Sequence, residues 1–326
     1  MKKVIVVTTV NGITEGMERF SKSENWELVI VSDRKTPVIT GKGDFTSILD
    51  IIWQESTNYM FTPLCPYNHY ARKNIGYIYA IRNGAEEILD TDDDNIPYDN
   101  WYNSFLLTDH KYEVISGTKF ANVYTLFTDQ YVWPRGFPLT HLRSREKLML
   151  ELLDKKDIGV IQGLADKEAD VDSIYRLVIG EDVRFKERNP VILDQGVYCP
   201  INSQNTLWLK DAFLYLYLPV TVSFRFTDIL RGYIAQRGLW SMDKHVAHIS
   251  PTVFQIRNAH NLMNDFAQEI DVFLNVEKVI SIIHDIELEG DPVHDIKSMY
   301  TKLFQHHVVG KDELSALDAW INDLKN

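Results

Sequence analysis

The chain has 326 residues, with 34 Lys and Arg against 46 Asp and Glu, a formal charge of −12. That balance argues against a general nucleic-acid binder, which needs a basic face to displace counterions, although a local site can oppose the global charge. Hydrophobic residues make up 45%, ordinary for a soluble protein, and the length allows one large α/β domain with or without an appendage.

Residues 4–7 are a continuous β-branched run and predict a buried parallel strand. Preceded only by Met-Lys-Lys, the run is too short for a signal peptide. Thr8, Thr9, Val10, Asn11 and Gly12 then supply a polar loop. Residues 16–22 predict a short helix, and 28–31 a second strand ending at Ser32 and Asp33. Ligands sit at the C-terminal strand ends of such a βαβ unit, so Thr8, Asn11 and Asp33 are candidates for one pocket. Residues 34–67 are broken by Pro37, Gly41, Gly43, Pro63 and Pro66. Asn68 can cap a helix over 70–85. Ile88 and Leu89 then lead into Asp90-Thr91-Asp92-Asp93-Asp94. Further on, 114–116 and 123–127 read as strands, 146–153 as helix and 159–162 as a short strand. Residues 206–217 read as a buried helix and 229–237 as another. From about Asn261 the pattern is helical, with a break at 290–292. The expected division is a main domain over 1–262 and a helical appendage over 263–326.

No stretch reaches the ~20 apolar residues of a membrane span. The two cysteines, Cys65 and Cys199, exclude a disulfide framework and a four-thiolate zinc site, and read as buried thiols of a reduced compartment. The expectation is a cytoplasmic chain with no transmembrane segment.

The acidic run carries the chemistry. Side chains alternate along an extended backbone, so Asp92 and Asp94 can point the same way and suit a hard cation, Mg2+ or Mn2+. The bland alternative is a solvated acidic turn, but the run directly follows a short apolar strand. An EF-hand counted from Asp90 would need Gly and Glu where Asn95 and Trp101 stand. A phosphatase Asp-x-Asp-x-Thr loop would start at Asp90, but Asp94 occupies the hydroxyl position. The third option is the Asp-x-Asp of nucleotide-sugar glycosyltransferases, where a metal stabilises the departing diphosphate.

Several segments together carry a resemblance. They are Ala71-Arg72-Lys73-Asn74-Ile75-Gly76-Tyr77, residues 89–95, Trp133-Pro134-Arg135-Gly136-Phe137-Pro138, Gln162-Gly163-Leu164-Ala165-Asp166 with Asp170-Val171-Asp172, and residues 224–232. In that order, over about residues 1–270, they resemble the STELLO family of glycosyltransferase-like proteins. More remotely they resemble the reversibly glycosylated polypeptides, which include UDP-arabinopyranose mutases. The resemblance implies an α/β GT-A fold, a mixed nucleotide-binding sheet flanked by helices. It also implies a nucleotide-sugar donor (UDP-linked) and Mn2+ or Mg2+. The partner is then a saccharide or other hydroxyl acceptor. By position, Thr8, Asn11 and Asp33 would hold the nucleoside, Asp33 accepting the imide N–H of a uracil. Arg72 would lie against the phosphates or base, and Asp92 and Asp94 would be the ribose and metal carboxylates. Plant STELLO proteins are membrane-anchored in the Golgi; no such anchor is read here.

The second half of the site leaves alternatives open. Asp172 either caps a helix or faces the substrate. Asp228 either pairs with Arg231 on a helix surface or faces the acceptor, as general base if configuration inverts and as orienter of the sugar if it is retained. Arg225, flanked by Phe224 and Phe226, and Arg231 would meet phosphate or hydroxyls. A third metal ligand could come from His245, His248 or His260, with His248 taken as the candidate. In the mutases an arginine is glycosylated, and Arg143 is the nearest candidate, one residue out of place. Three functions are therefore carried: a metal-dependent glycosyltransferase, a catalytically weak nucleotide-sugar-binding partner of a polysaccharide-synthesis machinery, and a UDP-sugar mutase.

Overall fold

The first β-branched run becomes β1 (Lys2–Thr9), followed by α1 (Glu15–Phe20) and β2 (Trp26–Ser32). These bounds come from a computed structural model that describes residues 1–39, 46–107, 112–144, 148–153, 156–256 and 261–325. Next come β3 (Thr46–Leu49), α2 (Ile51–Ser56), α3 (Lys73–Arg82), β4 (Ala85–Thr91) and β5 (Asn95–Pro97). The middle of the chain adds β6 (Tyr112–Ser116), α4 (Tyr124–Phe127), β7 (Met149–Leu153), β8 (Ile158–Lys167) and α5 (Ser173–Val178). The last third holds β9 (Val191–Leu193), β10 (Asn205–Leu209), α6 (Thr227–Ser241), β11 (His245–Gln255), α7 (Leu262–His284), α8 (Pro292–Gln305) and α9 (Asp312–Lys325).

The strands form one mixed sheet in the order β3-β2-β1-β4-β10-β8-β11-β9-β6-β7, with β5 paired to β11. The β3-β2-β1-β4 half is parallel, and β10 enters antiparallel between β4 and β8. Strand alternation explains why β1 is apolar at every position over 4–7. Val4 and Val6 enter the core on one face while Ile5 and Val7 enter the core on the other. Gly76 lets α3 lie directly on the first face, since a Cβ there would meet Val6 and Val31 side chains at 2.6 Å.

The C-terminal helices dock on that same face. Val272, Tyr300, Leu303 and Trp320 share one core with Val4 and Val6. Two buried carboxylates stitch them down. Glu313 accepts from the backbone N–H of Val220 and Thr221 and from the Tyr217 hydroxyl. Asp323 accepts from the N–H of Met60 and Phe61. The expected helices after 262 are present, and they pack on α3, α5 and α6.

Four local expectations are corrected. Residues 206–217 are β10 and a 3₁₀ turn, because a strand lying between β4 and β8 is apolar on both faces and lacks a telling period. Residues 123–127 contain α4, since a five-residue apolar run cannot separate strand from helix. The helix expected over 146–153 is strand β7 from Met149; pairing with β6 overrides the helix propensity of its Leu and Glu residues. Residues 145–147 lie outside the described residues. The helix expected over 70–85 is a 3₁₀ turn plus α3, and the His69 side chain, not Asn68, accepts the first N–H. Asn68 is left-handed, with φ 53°.

Among the described residues no helix is long and apolar enough to cross a membrane. Cys65 and Cys199 are buried and unpaired, and burial pushes both thiols up to about 12.

Candidate active site

The polar ends of β1, β2 and β4 open into a cleft of about 710 Å³. Seven of the sequence candidates line it: Thr8, Asn11, Asp33, Asp92, Asp94, Arg225 and Asp228.

The four acidic residues that follow Leu89 have three different fates. Asp90, still on β4, is fully buried beneath the cleft. Its carboxylate pairs with Lys73 at 2.6 Å and Arg231 at 2.8 Å. Asp93 turns back to the β1 loop, accepting from the Thr9 hydroxyl at 2.5 Å and from Asn11 Nδ2 at 3.1 Å. The Thr14 hydroxyl donates to its carbonyl. Thr9, Asn11 and Thr14 therefore fix the shape of the turn. Asp92 accepts from the Tyr70 hydroxyl at 2.6 Å, and Asp94 from Gln255 Nε2 at 2.7 Å. Burial pushes the Asp92 carboxyl up to about 8; nearby Lys73 opposes that rise and Asp94 adds to it. Lys73, 3.8 Å from Asp92, does not offset that rise.

Arg135 organises the opposite wall. The Trp133–Pro138 segment is more than an aromatic turn. Gly136 adopts φ +85° where a Cβ would meet Ile229 at 2.5 Å, and its carbonyl accepts from the Tyr233 hydroxyl. Trp133 Nε1 donates to Asp172 at 2.6 Å. So held, the Arg135 guanidinium forks onto two carboxylates. It meets Asp170 at 2.7 and 3.0 Å and Asp228 at 2.7 and 3.1 Å. Burial alone would raise the Asp228 pKa, but the charge and hydrogen bonds of Arg135 outweigh it and hold Asp228 below the usual carboxylate range. A carboxylate so tied is a poor proton acceptor at neutral pH. Arg225 lines the cleft but is paired with Asp265 and Glu269 of α7. Phe226 is buried, whereas the Phe224 ring stands 48% exposed at the rim, edge-on to Tyr70.

Four candidates lie outside the lining, which corrects their expected roles. Arg72 is fully buried, donating to Gln54 Oε1 at 3.0 Å and the Cys65 carbonyl at 3.1 Å, with its guanidinium over the Tyr67 ring. Arg231 is spent on Asp90. Asp172 is the helix cap of the two alternatives, accepting from the Tyr175 N–H at the start of α5. His248 is enclosed between β8 and β9, and desolvation lowers its pKa to about 3. Neither ring nitrogen has a hydrogen-bond partner. His245 is buried beside Asp157 and Asp194, also away from the cleft, and His260 lies outside the described residues. Arg143 is exposed and absent from the lining. Asp90, with no exposed surface, cannot serve as a phosphatase nucleophile.

Sequence reasoning missed Tyr70, Arg135 and Gln255 as site residues and placed Asp170 only within a segment that could face the substrate. Arg135 and Asp170 stood inside segments already singled out. Tyr70 and Gln255 carried no signal, because only the fold brings them to the acidic turn.

A parallel βαβ half ending in a carboxylate turn, joined through an antiparallel strand to a second half with its own polar wall, is a GT-A-like architecture. Residues 225–326 match the family described as STELLO glycosyltransferases. The chain is 33% identical over 303 residues to "Probable glycosyltransferase STELLO2" of Arabidopsis thaliana, covering 86% of this chain and 39% of that protein. It is 32% identical over 345 residues to "Probable glycosyltransferase STELLO1" of the same plant, covering 99% of this chain and 44% of that one. The resemblance to the STELLO glycosyltransferases is thereby shown, and the chain spans less than half the length of these relatives. A solved mycobacterial protein superposes with a TM-score of 0.43 at 9% identity, over 84% of this chain and 74% of its own.

Proposed function

We propose that the chain is a metal-dependent glycosyltransferase that takes a UDP-linked sugar as donor. The observation that carries this reading is that Asp92 and Asp94 both line the cleft, close enough for the Asp94 charge to raise the Asp92 carboxyl. Among the described residues no group of three or more His, Cys, Asp or Glu could hold a metal. Two carboxylates suffice for Mg2+ or Mn2+ when donor phosphates and water complete the shell. When bound there, the cation would neutralise charge on the departing diphosphate.

The other residues divide the donor between them. Asp33, at the end of β2, fits the imide N–H of a uracil, with Thr8 and Asn11 beside it. Among the described residues Lys35 is the cleft-lining lysine or arginine without an ion pair, so it takes the phosphate role once given to Arg72. Tyr70 orients Asp92, and Gln255 orients Asp94. Asp228, locked by Arg135, fits the orienting role for the sugar better than the proton-accepting one.

Release of UDP from a panel of UDP-sugars tests the reading. Asp94→Ala is expected to lower turnover by about 10²–10³-fold, the loss typical of one electrostatic contact to a leaving group. Release that survives unchanged would remove Asp94 from the site. One observation favours a second reading, a nucleotide-sugar-binding protein with little turnover: Arg135 ties up both carboxylates of the far wall. That reading predicts metal-dependent UDP binding with no release from any donor.

A further inference from the structure

We infer that Lys73, sealed beneath the cleft, is a positioning residue of the cation site: through the Tyr70 hydroxyl it holds Asp92 with one carboxylate oxygen taken and the other left for the metal. The inference rests on the donor reading above and adds a buried layer beneath it.

Hydrogen-bond direction is the first argument. Lys73 Nζ donates to the Thr91 carbonyl at 2.6 Å and to the Tyr70 hydroxyl at 3.2 Å, and it pairs with Asp90 at 2.6 Å. An ammonium group donates and never accepts, so the Tyr70 oxygen must accept from Lys73. The one proton of that hydroxyl then goes to Asp92 Oδ1, 2.6 Å away. Asp92 itself lies 3.8 Å from Nζ, too far for a direct hydrogen bond, and Lys73 reaches it through the tyrosine. Among the described residues Asp92 Oδ2 accepts no hydrogen bond, and 28% of the side chain is open.

Redundancy at Asp90 is the second, independent argument. Arg231 already pairs with the other oxygen of Asp90, at 2.8 Å, and is itself buried. One buried carboxylate needs one cation, and burying another costs desolvation. The remaining contacts of Lys73 account for its presence. It holds the carbonyl of Thr91, the last residue of β4 and the one before Asp92, and through Tyr70 it holds the Asp92 carboxylate. Backbone and side chain are thus fixed from one charged group. Tyr70 and Lys73 stand three residues apart across the 3₁₀ turn and the start of α3, which brings the ammonium to 5.2 Å from the centre of the Tyr70 ring. Phe224 meets the same ring at 5.4 Å, steeply inclined, and helps to hold it.

The test is a double-mutant cycle on Mn2+ affinity for wild type, Tyr70→Phe, Lys73→Met and both together. The electron paramagnetic resonance of free Mn2+ reads it, with and without saturating UDP. Lys73→Met leaves Asp90 paired with Arg231. Each single variant should weaken Mn2+ binding by about tenfold, the low end for a residue behind a metal ligand, and the double variant by no more than the larger single loss. UDP affinity without Mn2+ should be the same in all four. Tyr70→Phe without effect on Mn2+, losses that multiply to about 100-fold, or an equal fall in metal-free UDP affinity would each overturn the inference. Tyr70→Phe removes one hydroxyl and leaves the Asp90 pairs in place, so that arm decides where Lys73→Met does not fold. Mn2+ affinity that falls in this pattern but gains nothing from UDP would sink the donor reading and leave this one standing.

Discussion

Asp90→Ala will cost about 3–5 kcal/mol of folding stability, the penalty of stripping one partner from a buried ion pair. The carboxylate sits between Lys73 and Arg231, and all three side chains are essentially sealed from water. Removing it leaves two cations in a low-dielectric layer, Lys73 with Asp92 only at 3.8 Å and the hydrogen-bond partners of both otherwise neutral. Lys73 keeps the Thr91 carbonyl and the Tyr70 hydroxyl; Arg231 keeps the Asn202 carbonyl and the Ser203 hydroxyl. These satisfy hydrogen bonds and do not cancel charge. Since natural domains hold only about 5–15 kcal/mol in reserve, the variant should stand near the edge of unfolding. Urea denaturation reads this as a large drop in midpoint. A change below about 1 kcal/mol, typical of a solvated carboxylate, would contradict the buried-triad account.

The second large effect is a pH dependence that belongs to His248. Its folded pKa lies near 3 because the ring is desolvated, against about 6.5 in an unfolded chain. The sign follows directly. Below pH 6.5 the unfolded chain takes up a proton that the folded one refuses, so stability is full above 6.5 and falls as pH drops towards 3. The slope is about 1.4 kcal/mol per pH unit, or about 2 kcal/mol between pH 7.5 and 5. His248→Leu removes this contribution and two unpartnered buried nitrogens at once. Wild type should therefore lose about 2 kcal/mol more than His248→Leu over that interval. Asp172 works the other way, since burial raises it to about 6 and stability falls as pH rises through that range. It is common to both proteins and cancels in the difference. Equal slopes would mean that His248 is protonated or partnered in the fold. A metal affinity weakened by His248→Leu would return it to the ligand set.

The parts of the fold that were legible were those where one local signal suffices. β1 and β2 are short β-branched runs with polar ends, and α6 and α7 are long enough for their character to show. The acidic turn was legible because four carboxylates in five residues demand a compensating charge. Which carboxylate faces which way was only half legible. Asp92 and Asp94 both line the cleft, but from a turn rather than an extended strand, and nothing local said that Asp90 would find Lys73 and Arg231, or that Thr9 and Asn11 would take Asp93. Arg231 read as a ligand for phosphate or hydroxyls because a guanidinium suits both, and the resemblance implied Arg72 against the phosphates or base. Burial assigned them to Asp90 and Gln54 instead. Arg135 escaped notice for the converse reason. Its two partners, Asp170 and Asp228, come from the loop before α5 and the start of α6, 35 and 93 residues away. Such convergence is a property of the tertiary fold alone. Strand β10 and the edge strand β7 were misread where apolar content was clear but its period was not.

The central claim is that Asp92 and Asp94 bind a cation that in turn holds a nucleoside diphosphate. Isothermal titration of UDP into the protein, with and without Mn2+, tests it directly, alongside the Asp92→Asn/Asp94→Asn variant. UDP should bind at least about tenfold more tightly with Mn2+, and the variant should lose that gain while keeping its thermal midpoint. Equal UDP affinity with and without Mn2+, or a variant that still shows the full gain, would contradict the account.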